Sequence, residues 1–220
     1  NILIMNELQI FVIKPLMYSA ITYWGLSAFW LLLDIFLAPY GRIQGGEVID
    51  WKLYKKTALH VLKLHLITPF VLYSIIPIWK WRGIDTSFEF FITFKTFIKL
   101  CLCPLLGSIF FYIGHRISHY TKLYKTIHKK HHEWIVPCAV AASYSTVIEY
   151  LFFNLPVFLL PPMILNINWH GAQLWFIIST ISVVNDHCGY TFLKSTIHHT
   201  NHHKYQNYNY GSRTIDDLME

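Results

Sequence analysis

The sequence predicts an all-α integral membrane protein, a bundle of about four transmembrane helices with a histidine-rich cap on one side of the membrane. Three observations support this fold class. The 220 residues are 54% hydrophobic and only 14% charged, with a mean hydropathy of +0.37, a composition typical of membrane proteins. Several apolar runs approach the roughly 20 residues that a helix needs to cross a bilayer. Finally, 11 of the 13 histidines lie at or after His115.

Three apolar runs in the first half of the chain are candidate spans. The run from Leu16 to Leu33 is bounded by a charged residue on each side. The run from Val61 to Trp79 carries Lys63 and His65 near its start, and their polar ends could reach the membrane interface. The run from Phe88 to Ile113 is interrupted by charges in its first half, so we expect it to be half span and half interfacial helix.

Two shorter apolar segments follow, Tyr150 to Leu165 and Ala172 to Val184. Each is short for a full crossing, so a re-entrant or tight helical hairpin fits them best. Ten histidines flank this pair in two groups, at positions 115–132 and 187–203. A hairpin would return the chain to the face it left and bring the two groups together. Basic residues around the first group place this face in the cytosol by the positive-inside tendency.

Charge and composition exclude several other classes. The net charge is +6, but the basic residues are mixed with Trp, Tyr and Leu, which indicates membrane-flanking charge rather than nucleic-acid binding. The four cysteines form neither a zinc-type pair nor a disulfide-dense pattern, and we expect reduced packing residues. No internal repeat or glycine-rich nucleotide loop divides the chain. We therefore expect one domain over positions 1–220, with its histidine-rich region at 110–212, and a first residue, Asn1, that indicates a fragment of a longer protein.

The histidines recur at helical spacing. In GHRISHY the two histidines are four residues apart, and side chains at that separation lie about 5–6 Å apart on one face of a helix. The segments HKKHHE and HHTNHH repeat spacings of three and four, which predicts that each set shares a face, and NDHCGY adds a ninth ring. The candidate metal ligands are His115, His119, His128, His131, His132, His187, His199, His202 and His203.

Nine imidazoles favour two metal ions. One ion takes about four to six ligands, and burying so many polar rings without a partner is costly. Imidazole suits several metals, but an all-histidine pair of ions beside a lipid pocket favours redox chemistry with O₂ and hence iron. Zinc could replace iron in a purified sample, because zinc binds histidine sites at least as tightly. The isolated His60, His65 and His170 are expected to be hydrogen-bonded structural residues.

Taken together, the motifs resemble those of a known family. GHRISHY, IHKKHHEW, NDHCGY and HHTNHH followed by NYG are similar to the motifs of the fatty acid hydroxylase superfamily of membrane di-iron enzymes. Within it, the chain most resembles the fatty acid hydroxylase domain-containing proteins related to C-4 methylsterol oxidases, over about positions 50–220. The resemblance implies that the nine histidines bind two irons in a cytosolic cap of an endoplasmic reticulum membrane protein. It also implies O₂-dependent hydroxylation with electrons from NAD(P)H through a carrier such as cytochrome b5.

The chain departs from the family pattern beside His187. Many members carry a further ligand four residues away, where this chain has Val183 and Thr191. The resemblance therefore implies a ligand set that lacks one member. The residues that could assist in its place are Asn185, Asp186 and His198.

A second departure concerns the substrate. Methylsterol oxidases typically have Tyr-x-His-Pro-x-Glu after the second histidine motif, whereas YSTVIE keeps Tyr144 and Glu149 without the His-Pro pair, a pattern closer to cholesterol 25-hydroxylases. Glu149 and Glu133 could accept hydrogen bonds from metal-bound rings. Glu149 could equally be an interfacial charge, and Glu133 a solvated partner of nearby lysines.

We therefore expect O₂-dependent hydroxylation of a sterol or related long-chain lipid, with FFNLPVFLLPP and LWFII as candidate pocket walls. The alternatives are a cholesterol 25-hydroxylase-like enzyme, a fatty acid or sphingolipid hydroxylase, a desaturase and an inactive relative. A membrane metal transporter or sensor is an alternative of another class, and it predicts ionisable ligands near the middle of the spans. The basic stretch from Arg116 to Lys130 is expected to bind an acidic electron carrier or anionic lipid headgroups.

Overall fold

The computed structural model describes residues 6–37, 42, 49–86 and 93–219, and these form an all-helical protein. Within the described ranges there is no β-strand, only an isolated bridge between Arg42 and Tyr190. The predicted all-α class is therefore confirmed. The helices are α1 (Lys14–Leu37), α2 (Trp51–Ser74), α3 (Ile76–Trp81), α4 (Phe94–Ser118), α5 (Val147–Ile164), α6 (Trp169–Asp186), α7 (Lys194–Tyr205) and α8 (Arg213–Met219).

Three of the described helices are long and apolar enough to cross a membrane: Asn6–Phe36, which contains most of α1, and the whole of α4 and α5. The third run was predicted to be half span and half interfacial helix. Its residues 88–92 lie outside the described part of the chain, and for the remainder the prediction is wrong, because α4 is one continuous helix that is long and apolar enough to cross as a whole. Its charges, Lys95 and Lys99, lie in its first two turns, and the Lys99 ammonium donates to the Asn166 carbonyl at 2.6 Å. The residues from Leu100 to Gly114 carry no charge, and His115 and Arg116 follow in the last turn of the helix.

The predicted second span is a helix, but it is not among the three apolar enough to cross. α2 extends toward the N-terminus beyond the predicted run, and it gains three lysines there in addition to Lys63. The chain then breaks at Ile75 before α3. α2 nevertheless packs into the protein, since Val61 and Leu64 are fully buried. It lies against the bundle with an exposed, lysine-bearing side.

The predicted helical hairpin is confirmed, but the expectation that both arms are short for a full crossing is wrong for α5, which is long and apolar enough to cross. α5 and α6 pack against each other and are joined by the turn from Leu165 to Asn168. The Asn168 side chain caps α6 by accepting from the Gly171 amide at 2.8 Å, and a side chain at Gly171 would meet the Asn168 oxygen at 2.9 Å. α5 begins beside the first histidine group and α6 ends at the second, so the hairpin returns the chain to its starting side.

The four cysteines carry no disulfide, as predicted. Cys103, Cys138 and Cys188 are buried, whereas Cys101 is exposed on α4 and is not a packing residue. The interior has two apolar clusters. One surrounds Trp169 and Trp175 in the hairpin, and the other surrounds the histidine region. α1 packs along α6, and α4 packs along α5, so the helices that lead to the histidines are fixed in pairs.

A buried ion pair connects the end of α1 to the histidine region. The Arg42 guanidinium lies 3.0 Å from the Asp34 carboxylate, and the two side chains are 5% and 2% exposed. Arg42 also donates to the Pro137 carbonyl at 3.1 Å. Gly189 has a φ of +79°, and a side chain there would meet the guanidinium at 3.1 Å. The Arg42 guanidinium thus contacts three segments of the chain: the end of α1, the loop at Pro137 and the turn at Gly189.

We expect Asp34→Ala to lower the free energy of unfolding by about 3 kcal/mol, because it leaves the Arg42 charge buried without its carboxylate. Chemical unfolding in detergent would measure the change. The double variant Asp34→Leu/Arg42→Met should regain much of the loss, since it removes both charges. Asp217→Ala, which breaks the exposed Arg213–Asp217 pair, is the matched control and should have little effect. Equal losses in the Asp34 and Asp217 variants would contradict this account.

Candidate metal centre

The nine histidines selected from the sequence lie in two compact groups. Within each group the ring nitrogens lie within 4.8 Å of one another. The five-histidine group consists of His115, His119, His128, His132 and His202. The four-histidine group consists of His131, His187, His199 and His203. His60, His65, His170 and His198 belong to neither group.

Neighbouring residues are divided between the groups, which the spacing did not predict. The sets at 128–132 and 199–203 were each expected to share one face. Instead His131 and His132 join different groups, as do His202 and His203. Consecutive residues on a helix point about 100° apart, so each adjacent pair supplies one ring to each side. This places the groups next to each other, with the His132 and His203 ring centres 4.8 Å apart.

The local backbone also differs from the single helix that was expected. A wide helical turn spans Tyr124–His128, and a tight turn of 3₁₀ helix follows at His131–Glu133. The histidines at 199–203 lie on the regular helix α7. His115 is in the last turn of α4, and His187 is the residue that ends α6.

In the five-histidine group the rings approach through their Nε2 atoms. The Nε2–Nε2 distances are 3.0 Å for His115–His128, 3.0 Å for His128–His132, 3.1 Å for His119–His132 and 3.2 Å for His132–His202. Four of the five side chains are buried, and His119 is half-buried. Five Nε2 atoms therefore face one small, largely enclosed volume.

The four-histidine group has the same arrangement. The Nε2–Nε2 distances are 2.9 Å for His187–His199, 3.1 Å for His199–His203 and 3.4 Å for His131–His187. All four rings are buried.

The opposite ring nitrogens show which nitrogen carries the proton. Six of the nine rings place Nδ1 within hydrogen-bond distance of an oxygen outside the groups, and five of those oxygens are main-chain carbonyls. A carbonyl oxygen can only accept, so in these rings Nδ1 holds the hydrogen and Nε2 presents a lone pair. The carbonyl acceptors belong to Trp134, Tyr144, Val183, Tyr208 and Tyr210.

The rings are held in their neutral form. Burial, together with the neighbouring His202 ring, lowers the pKa of His119 to about 3. Burial is also the main cause that lowers the pKa of His187 and of His202 to about 4. Burial and neighbouring imidazoles hold the pKa well below the ordinary value in His128, His131, His199 and His203.

This donor set fits metal ions. In the His131–His187 pair both Nδ1 atoms donate to carbonyl oxygens, so both Nε2 atoms present lone pairs and cannot hydrogen-bond to each other. Rings that bind one ion through nitrogens about 2.1 Å from it lie about 3.0–3.4 Å apart in octahedral or tetrahedral geometry. The observed separations lie close to this range in both groups. Neutral imidazole is also the form that binds metals.

Glu149 lies directly behind the five-histidine group. Its carboxylate is 2.7 Å from His128 Nδ1, and both side chains are buried. Glu149 was considered either as an acceptor for a ring of the site or as an interfacial charge, and its contact with His128 supports the first of these roles. Glu133 lies elsewhere, since it accepts from Lys56 at 2.6 Å and from the Tyr144 hydroxyl at 2.9 Å.

A loop that sequence reasoning missed orients two of the rings. The carbonyls of Tyr208 and Tyr210 accept from His202 and His115. Asp216 on α8 secures this loop by accepting from the Gly211 amide, at 3.0 Å to each oxygen. The acceptors are main-chain atoms, so no residue type indicates their role. The one available signal was NYG, whose glycine lies against the Tyr112 ring, where a side chain would approach to 3.1 Å.

The residues considered as substitutes for the missing ligand have other partners. The Asn185 side chain accepts from the Trp30 indole at 2.9 Å, and His198 bonds to Asp216 at 2.7 Å. Burial raises the pKa of Asp186, which bonds to Ser195. Val183 presents an apolar side chain, and its carbonyl orients His187. The second group therefore has four histidines where the first has five.

Of the histidines outside the groups, His60 is a structural residue as predicted. Its ring bonds to the Ser145 carbonyl at 2.7 Å and to the Lys130 ammonium at 3.1 Å. His65 differs from the prediction, because within the described part of the chain no hydrogen bond is made by its ring. It packs instead against Tyr23 and Tyr150, with ring centres 4.8 and 6.4 Å away.

A cavity of about 610 Å³ adjoins the histidines. Rings of both groups line it, namely His115, His128, His131, His187 and His199. Apolar side chains from the predicted walls form much of the remainder, including Phe153, Phe158, Leu159, Trp175 and Phe176. Its volume is within the range of about 300–1,000 Å³ typical of ligand sites.

Known proteins resemble the chain over most of its length. Fatty acid hydroxylase domain-containing protein 2 of Macaca fascicularis is 30% identical over 97% of this chain and 67% of its own length. Fatty acid hydroxylase ahd1 of Mycosarcoma maydis is 35% identical over 83% of this chain, which spans about half (49%) of that protein. Methylsterol monooxygenase erg25B of Aspergillus fumigatus is 25% identical over 81% of this chain and 62% of its own length.

No solved structure shows significant similarity to the chain. The family model described as fatty acid hydroxylase matches residues 100–220, which include all nine grouped histidines. Together with the similarity to the Macaca fascicularis protein, this match shows that the chain belongs to the fatty acid hydroxylase family.

Proposed function

We propose that the chain is an O₂-dependent lipid hydroxylase, a non-haem di-iron monooxygenase that acts on a C–H bond of a sterol or related long-chain lipid. One observation carries the proposal: a cavity with mainly apolar walls lies directly against rings of both histidine groups. The relatives support it, because their names describe a methylsterol monooxygenase and a fatty acid hydroxylase. We treat positions 1–220 as one domain of this enzyme.

Each histidine group would hold one iron ion through its Nε2 atoms. Iron takes up to about six ligands, so the four-histidine group leaves more positions for small molecules than the five-histidine group. The four-histidine group also lines the cavity more fully, with His131, His187 and His199. The four-histidine group has one ligand fewer, and this fits an iron whose free positions face the substrate. Val183, at one of the two positions considered for the missing ligand, would then reduce the number of ligands without abolishing the metal site.

When bound, the two irons would supply the reduction of O₂ and the oxidation of the lipid. The chain's own contribution is to orient the histidine ligands and to keep water away from the reacting groups. The carbonyls behind His115, His187 and His203 fix the ring directions, and precise orientation of ligands by such partners is a common requirement of metal sites. The apolar walls exclude water, which protects a strong oxidant from side reactions. All-neutral ligands favour this redox role over hydrolysis, although zinc could occupy the site in a purified sample.

Several lipid reactions remain alternatives on the same site. A cholesterol 25-hydroxylase-like activity is supported by a relative from Danio rerio named cholesterol 25-hydroxylase-like protein, 27% identical over 80% of this chain. Fatty acid or sphingolipid hydroxylation and desaturation would use the same histidines. Because these reactions would share one metal site, only identification of the product distinguishes them.

A membrane metal transporter or sensor is the alternative of another class. It requires ionisable ligands along a path through the membrane. Here His115 lies in the last turn of α4 and His187 immediately follows α6, so the rings gather at helix ends. This placement favours an enzyme.

We further propose that the histidine side faces the cytosol in the endoplasmic reticulum membrane. Lys122, Lys125 and Lys129 are exposed beside the five-histidine group. They could bind a cytochrome b5-like carrier of NAD(P)H-derived electrons or anionic lipid headgroups. Arg116 contributes less to this surface, because its guanidinium lies over the rings of Tyr112 and Tyr210.

We expect His199→Ala and His202→Ala each to lower the iron content of the purified protein from about two ions per chain to about one, because each removes a ligand from a different group. Elemental analysis by mass spectrometry would measure the iron. His60→Gln, which changes a histidine outside both groups, should keep the full content. Full iron in both group variants would contradict the assignment of these rings as ligands.

We expect Glu149→Gln to weaken metal binding at the five-histidine group by about 10- to 100-fold, since it replaces the carboxyl group that contacts His128 Nδ1 with a weaker acceptor. Competition with a graded series of chelators would measure the affinity. Glu133→Gln removes a carboxylate that contacts Lys56 and Tyr144 instead, and it should leave the affinity unchanged. Equal effects of the two variants would show that the His128 contact has no special role.

We expect expression in a sterol-producing host under ¹⁸O₂ to yield a lipid with one labelled hydroxyl group. Methylsterols, oxysterols and hydroxylated fatty lipids would be profiled by mass spectrometry. The His131→Ala/His132→Ala variant removes one ring from each group and should form no labelled product. A new double bond without label would indicate a desaturase. No product from the folded, iron-loaded chain in the presence of reductant would overturn the proposed function.

A further inference from the structure

His65 is a polar side chain in the apolar part of the cavity that the proposed chemistry does not use. It lies on α2, away from both histidine groups, and lines the same cavity as they do. Its ring packs against three aromatic rings, with centres 4.8 Å away for Tyr23, 5.8 Å for Trp24 and 6.4 Å for Tyr150. Within the described part of the chain it has no hydrogen-bond partner. A half-buried imidazole in such surroundings has one donor and one acceptor available.

Neighbouring polar groups on this wall are already engaged. The Tyr23 hydroxyl donates to the Val140 carbonyl at 3.0 Å and accepts from the Ser143 amide at 3.1 Å. The Tyr150 hydroxyl pairs with Thr68 at 2.6 Å. These bonds hold the aromatic rings on either side of His65 in place. The imidazole is thus fixed by packing while its hydrogen-bonding capacity is left for a ligand.

The wall is placed where it can position a lipid relative to the metal centre. Tyr150 follows Glu149, whose carboxylate contacts His128. Tyr23 holds Ser143, next to Tyr144, whose carbonyl contacts His131. A molecule that bonds to His65 would therefore lie in the same cavity that His128 and His131 line.

The charges around the cavity favour a neutral polar group at His65. The lysine and arginine that line the cavity are Lys194 and Arg213, both exposed at the starts of α7 and α8. The rings in contact with His65 belong to Tyr23, Trp24 and Tyr150, and the acidic residues that line the cavity are Glu149 and Asp186. A carboxylate or phosphate would have no cation to pair with there, and an unpaired buried charge is costly.

We infer that His65 binds a hydroxyl group of the lipid substrate, so that the substrate class is hydroxyl-bearing neutral lipids, such as sterols or long-chain alcohols, rather than free fatty acids. This inference rests on the proposed function for the identity of the cavity as the substrate site. It makes His65 a specificity-determining residue, because it selects and positions the lipid without contacting the reacting carbon.

Binding to the purified full chain, with its metals and without any electron donor, tests this inference apart from turnover. The probe is dehydroergosterol, whose fluorescence is excited by energy transfer from tryptophan, and Trp24 lies next to His65. Its 3-O-methyl ether keeps the sterol ring system and adds one methyl group, and it has no hydroxyl hydrogen to donate. We expect the ether to bind about tenfold more weakly, the cost of one unmade hydrogen bond. Hexadecanol should compete better than palmitic acid, and comparison with the sterol separates the two sources of a hydroxyl group.

Substitutions locate the effect. His65→Leu should bind the sterol and its ether equally, whereas His65→Gln, which keeps a neutral donor and acceptor, should restore most of the preference. Leu66→Ala, on an exposed neighbouring position (63% exposed), should leave the preference intact. If His65 only packs against its aromatic neighbours, His65→Leu would alter stability but not the ratio of the two affinities. If the leucine variant does not fold, the glutamine variant and the ether comparison still decide.

Three results would overturn the inference: equal binding of sterol and ether by the unaltered chain, a retained preference in His65→Leu, or stronger competition by palmitic acid than by hexadecanol. Absence of binding by any hydroxyl lipid to the folded chain would also overturn it. Failure of the proposed function is distinguishable, because it would appear as hydroxyl-dependent binding without an ¹⁸O-labelled product. If lipids without a hydroxyl group are turned over as fast as those with one, the inference about His65 fails while the proposed function stands.

Discussion

The structure depends on holding nine imidazole rings with their Nε2 atoms directed at two small volumes. Left to themselves, neutral rings with facing lone pairs about 3 Å apart would turn away from each other, because they gain no hydrogen bond. Bonds from Nδ1 to fixed carbonyl oxygens prevent that rotation in five of the rings. The backbone around the site is therefore as much a part of it as the histidines are.

The helix arrangement serves this convergence. Distant parts of the sequence must meet at one place, and the α5–α6 hairpin achieves this by leaving the histidine side and returning to it. Adjacent histidines at 131–132 and 202–203 then supply both groups from single turns of chain. The ion pair of Asp34 with Arg42 fixes the end of α1 against Pro137, close to the carbonyls of Trp134 and Tyr144 that orient rings. An ion pair outside the site thus holds the segment whose Trp134 carbonyl orients His203.

The sequence predicted the all-helical class, the hairpin and the nine grouped histidines, because apolar runs and the spacing of a rare polar residue are local signals, but its second span and the helix at 128–132 were wrong. It did not predict how the rings divide. Spacings of three and four place His128, His131 and His132 on one face only if the segment is a regular helix, and the wide turn at Tyr124–His128 breaks that regularity. Nor did it predict the roles of Tyr208, Tyr210 and Asp216. Main-chain acceptors leave no trace in residue type, and the contact of Asp216 with the loop depends on tertiary structure. His65 was misjudged for a related reason, since only the structure shows whether a lone histidine meets a partner.

On the proposed function, the cavity and the exposed lysines would serve two different partners of the enzyme. Apolar side chains of α1, α4 and α5, the helices long and apolar enough to cross a membrane, line much of the cavity, so a lipid could enter it from the bilayer. Lys122, Lys125 and Lys129 are exposed, and a charged carrier or headgroup would bind there. A site at the ends of membrane helices, rather than at their middle, is the position from which both can be reached. On our inference, His65, whose ring makes no hydrogen bond within the described part of the chain, would orient a lipid that the cavity would otherwise bind by shape alone.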